Sequence, residues 1–107
     1  MNRETLLKRP NAKKTDDVKI EDEIVAKVRK LTADEVEYMN KNYKGDEKSL
    51  EGCRFIVARC VVDEAGNPIF KDEDINADIK KMDHELVDAI ATKALTFSGI
   101  KTQPKND

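Results

Sequence analysis

At 107 residues the chain holds one domain and is too short for two, and 38% apolar content with no Trp allows one modest core. Charged side chains make up 39% and nearly cancel, to −2, which gives solubility without the one-signed field that nucleic-acid binding requires. No apolar run nears the roughly 20 residues that cross a bilayer and no signal-peptide core follows Met1, so the composition predicts a cytosolic protein with no membrane contact.

Residues 1–16 carry Pro10, scattered Lys and Arg, and no apolar periodicity beyond Leu6-Leu7, which predicts a mobile arm. Its basic cluster, Lys8, Arg9, Lys13 and Lys14, reads as solubilising rather than as a nucleic-acid contact. Val18 and Ile20 then alternate with Lys19 and Glu21. After Glu21-Asp22-Glu23, the residues Ile24, Ala26 and Val28 alternate with Val25, Lys27 and Arg29. Period-two alternation on both sides of an acidic turn predicts a β-hairpin with one buried face, which helices must cover. With no Gly or Asn at the turn, its type stays open.

Thr32 precedes Ala33-Asp34-Glu35 at capping-box spacing, and Val36, Met39 and Tyr43 continue at helical spacing towards a stop at Gly45. The most apolar segment, Leu50 to Val62, is ambiguous. Leu50, Cys53, Ile56 or Val57, and Cys60 or Val61 fit a helical stripe, whereas Phe55-Ile56-Val57 and Val61-Val62 have strand composition. A strand of about 13 residues would be unusually long and would set Arg59 beside Phe55 and Val57, so a helix is favoured.

Asp63-Glu64-Ala65-Gly66-Asn67-Pro68 is a turn, after which Ile69 and Phe70 anchor the loop to the core. Asp72 is placed to cap a short helix carrying Ile75 and Ile79. Asp83 caps the last helix, whose Leu86, Val87, Ile90, Ala91, Ala94 and Leu95 form a wide apolar face ending at Gly99. The predicted fold class is mainly α (α+β): an N-terminal β-hairpin followed by three to four packed helices over residues 17–100, with a tail at 101–107.

Candidate chemistry is sparse. His84 is the single histidine, far in sequence from Cys53 and Cys60, and reads as solvated, although the sequence by itself leaves a Cys–His pair open. In a helix the two thiols, seven residues apart, stand about 10 Å from one another, too far for a bridge, and read as small buried hydrophobes. An EF-hand frame started at Asp63 meets Pro68 at position six, and one started at Asp72 has no glycine there, so neither binds calcium as an EF-hand does. Four scattered glycines make no phosphate cradle. The sequence therefore assigns no catalytic, metal or cofactor-binding residue and predicts no enzyme; contact with other proteins is what remains.

The run Arg29-Lys30-Leu31-Thr32 between hairpin and capped helix, the stretch Ile56-Val57-Ala58-Arg59-Cys60-Val61-Val62-Asp63-Glu64-Ala65-Gly66-Asn67-Pro68-Ile69-Phe70, then Asp72-Glu73-Asp74-Ile75 and the closing Ala94-Leu95-Thr96-Phe97-Ser98-Gly99-Ile100 together resemble the tail assembly chaperones of long-tailed (siphovirus-type) bacteriophages. The resemblance covers about residues 18–100. It implies a non-enzymatic helper in the bacterial host cytoplasm, absent from the finished virion. Such a helper binds the tape measure protein, keeps it soluble, and assists assembly of the tail tube protein around it, often through a longer frameshifted form. A homo-oligomer is expected along so long a client. Coating apolar helices needs apolar surface left over by the fold, and the width of the last helix makes Leu86, Ile90, Leu95, Phe97 and Ile100 the expected partner-binding residues. Two other readings stand beside it: a small nucleic-acid-binding or regulatory protein using the basic arm, and a minor structural virion protein such as a head–tail joining component.

Overall fold

The computed structural model describes residues 2–8, 13–44 and 46–100. It is an α+β fold in which a two-stranded antiparallel hairpin precedes the main helices. The elements are α1 (Arg3–Lys8), β1 (Thr15–Ile20), β2 (Glu23–Arg29), α2 (Ala33–Asn42), α3 (Asp46–Cys60), two 3₁₀ segments (Asp72–Asn76 and Ile79–Lys81) and α4 (His84–Phe97).

The hairpin closes on a two-residue turn with Glu21 at φ 50° and Asp22 at φ 68°. Two successive positive φ values define a type I′ turn, whose twist matches that of the strands, so geometry rather than residue preference settles the turn type. Ladder partners run from Thr15–Arg29 to Val18–Ala26 and then shift to Lys19–Ile24 and Ile20–Glu23, which leaves Val25 as the extra residue of a β-bulge. Val18 and Val28 project into the core at 1% and 0% exposure. Helix α4 covers this face and also packs against α3.

Residues 50–62 resolve as a helix with an extended end. Helix α3 begins at Asp46 and stops at Cys60, where Val61 forms an antiparallel bridge to Val28 and the Val62 N–H donates to the Lys27 carbonyl at 2.9 Å. The strand-like composition of Val61-Val62 thus belongs to a short edge piece on β2. The loop that follows is held by Asp63, whose carboxylate accepts from the Ala65 and Asn67 N–H groups at 2.9 and 3.0 Å, with Gly66 at φ 88°. Its acidic side chain serves an Asx-type turn.

Several expectations are corrected. The first strand starts at Thr15, inside the expected arm, and residues 3–8 are helical; the tail at 101–107 lies outside the described residues. Helix α2 ends at Asn42, with the Tyr43 N–H donating to the Met39 carbonyl, and the expected stop at Gly45 also falls outside the described residues. Ile69 is exposed, and Phe70 alone packs against the core. Asp72 does not cap: the first 3₁₀ segment follows Lys71, whose N–H donates to Asp74, while the Asp72 carboxylate turns to Arg59. The capping box at Thr32 and Glu35, the Asp83 cap, and the Gly99 stop at φ 82° form as expected. At that stop the Ile100 N–H reaches the Leu95 carbonyl and the Gly99 N–H the Thr96 carbonyl, the Schellman pattern.

Candidate functional site

The expected partner face on α4 is largely consumed by the fold. Ile90 is 2% exposed and belongs to the core, so it is not a docking residue in the folded chain. Leu86, Leu95 and Phe97 are half-buried against that core, and Phe97 also lies under the Lys30 ammonium at 5.0 Å. Ile100 is half-buried after the Schellman turn. The helix is wide because it packs against two neighbours, the hairpin and α3.

Exposed apolar side chains lie elsewhere. Ile24 and Val25 stand out beside the hairpin bulge, Leu6 and Leu7 on α1, and Ile69 on the loop after α3. Leu50, at 56% exposure, rims a cleft of about 120 Å³ lined also by Cys53, Ile79, Met82, His84 and Val87. The cleft brings together two residues that sequence distance kept apart, Cys53 and His84. Arg54 lines it too, and its buried Nε has no hydrogen-bond partner. Cys60 lies in the core instead, where burial pushes its thiol up to about 12. Among the described residues no group of three His, Cys, Asp or Glu side chains is placed to hold a metal ion, and no helix is long and apolar enough to cross a membrane.

The main polar constellation is a chain of charges joining four parts of the fold. Glu35, in the first turn of α2, is 5% exposed. Arg29, at the end of β2, grips both its oxygens at 2.9 and 2.7 Å, and the Thr32 N–H and Arg59 of α3 add bonds at 2.9 and 3.1 Å. Arg59 also clasps Asp72 through two bonds of 2.8 Å and lies over the Phe55 ring. Burial pushes the Glu35 carboxyl up, but Arg29, the Thr32 N–H and Arg59 outweigh it and hold it at about 2. Hydrogen bonds from Arg59 likewise keep Asp72 below the usual carboxylate range. Each oxygen of Glu35 and Asp72 accepts from at least one donor, so the four side chains brace β2, α2, α3 and the first 3₁₀ segment against one another. The sequence marked Glu35 and Asp72 only as helix caps, and no local pattern joined them to Arg29 and Arg59.

Comparison with protein-family models, with curated proteins and with solved structures finds no match.

Proposed function

We propose that this chain is a non-enzymatic protein-binding helper of the tail-assembly type, which holds apolar helical stretches of a tape measure protein soluble while tail tube subunits assemble around it. It would act in the host cytoplasm and leave before the virion is complete, with contact to the tube protein supplied by a longer frameshifted form. The resemblance over residues 18–100 supplies the family of partners. The observation that carries the reading is the apolar surface left outside the core, at the Leu50 cleft and Ile69, on a fold whose strongly shifted carboxylates are all engaged in ion pairs.

The client surface is accordingly moved from α4 to the Leu50 cleft, where Leu50, Met82 and Val87 offer a small apolar socket to a helix side chain. Co-expression with a tape measure protein of a long-tailed bacteriophage tests this. The client is expected in the soluble fraction and to co-elute with the chain, and Leu50→Asp is expected to reduce both while leaving the thermal melt within about 2 °C. A client that stays insoluble and never co-elutes would sink the proposal.

A further inference from the structure

One edge of β1 is paired with β2, and no strand covers the other among the described residues. Two contacts identify the backbone groups on that open edge. The Lys27 carbonyl accepts from the Val62 N–H, so Lys27 faces away from β1; by the alternation of antiparallel ladders its opposite residue, Asp17, faces away from β2. Consistently, the Asp17 N–H donates to the neighbouring Asp16 carboxylate at 2.9 Å. Thr15 and Lys19 share that direction, because the extra residue of the bulge lies on β2. The edge therefore presents the N–H and C=O groups of Thr15, Asp17 and Lys19. It borders a groove of about 660 Å³ walled on its far side by Ala89, Thr92 and Thr96 of α4.

An open edge accepts whichever strand its side chains permit. Val18 points to the core, so Asp17 and Lys19 lie together on the opposite face of the sheet. A second β1, antiparallel and hydrogen-bonded through its own outward residues, has three central registers. Centred on Asp17, the pairing opposes two carboxylates; centred on Lys19, it opposes two ammonium groups. Centred on Val18, it places Asp17 opposite Lys19 twice, and opposite charges across a strand pair attract. Each Asp17 would then stand between Lys27 of its own hairpin, already at 3.0 Å, and the second copy's Lys19. Asp16, on releasing the Asp17 N–H, keeps Lys13 at 3.1 Å and Lys93 at 3.0 Å.

We propose that two copies of this chain pair β1 to β1 about a two-fold axis at Val18, giving one continuous four-stranded sheet. This dimer does not depend on the identity of any client.

Sedimentation equilibrium of the full chain, from micromolar to millimolar concentration, tests it together with two charge inversions. Lys19→Asp and Asp17→Lys each place like charges across the dyad, and each is expected to weaken dimerisation on the order of tenfold. An equimolar mixture of the two variants restores opposite charges and is expected to regain the dimer as a heterodimer. Lys19 faces Ile24 within the hairpin, so Lys19→Asp leaves the monomer's ion pairs intact. Hydrogen exchange on the unaltered chain is the second reading: the Lys19 amide, which pairs with the second copy's Asp17 in this register, exchanges more slowly at high concentration. A monomer throughout, a dimer indifferent to both inversions, equal exchange rates at all concentrations, or an extended peptide of another protein on the β1 edge of a monomeric chain would each overturn the proposal.

Discussion

Glu35 keeps a full charge at 5% exposure because four hydrogen bonds from Arg29, Thr32 and Arg59 replace its water. Its carboxyl lies at about 2 in the folded chain against an ordinary value of 4.5, so it contributes stability that is complete above about pH 4.5 and is lost as the pH falls towards 2. The shift corresponds to roughly 3 kcal/mol. Urea unfolding between pH 7 and pH 3 is expected to show more than half of that loss, and Glu35→Gln is expected to flatten the acid limb. At pH 7 the same variant should cost about 2–4 kcal/mol, because it leaves Arg29 beside an uncharged amide and removes one of the two carboxylates that face Arg59. An unchanged acid limb in the variant would assign the titration elsewhere. The cap role of Glu35 was legible because its partner stands three residues away. The brace was not, because Arg59 is 24 residues on in sequence and Asp72 a further 13, and no local pattern encodes such distances.

At the scale of elements, the hairpin follows from alternation but its turn does not. Glu21 and Asp22 both occupy the left-handed region, which costs a residue with a Cβ roughly 1 kcal/mol or more and which Asn and Gly enter readily. Glu21→Asn combined with Asp22→Gly is therefore expected to stabilise the chain by about 1 kcal/mol, read as a higher urea midpoint at constant slope; a lower midpoint would mean that the two acidic side chains make contacts worth more than the strain. The helices were legible from caps and periodicity, Thr32, Asp83 and Gly99 above all. What periodicity could not say is how many neighbours a helix has. The width of α4 looks like spare surface in one dimension, and in three it is shared between two neighbours, the hairpin and α3. The same limit hid the Leu50 cleft, whose walls come from α3, the second 3₁₀ segment and α4.

For the molecule as a whole, the decisive property is that hairpin and helices share one core. Cys60 marks it: the thiol is fully buried in the cluster that includes Val28 and Ala94, at the point where the chain leaves α3 to pair with β2. With its thiol pushed up to about 12, Cys60 is almost wholly protonated at pH 8, and alkylating reagents need both access and a thiolate. In a Cys53→Ser background, labelling of Cys60 by iodoacetamide is therefore expected to proceed through global opening, with a urea dependence equal to that of equilibrium unfolding. Removing residues 1–8 should leave that rate unchanged, since Leu6 and Leu7 are largely exposed and α1 adds little to the core. If the chain is the helper proposed above, the same thiol distinguishes two ways of holding a client. If the chain docks clients on its folded surface, binding stabilises the closed state and slows Cys60 labelling. If instead it peels α4 away to lend out Ile90 and Leu95, a bound client speeds the labelling. Slowing is the expected result, because Ile90 is already spent inside the core, and acceleration would return α4 to the role of client surface.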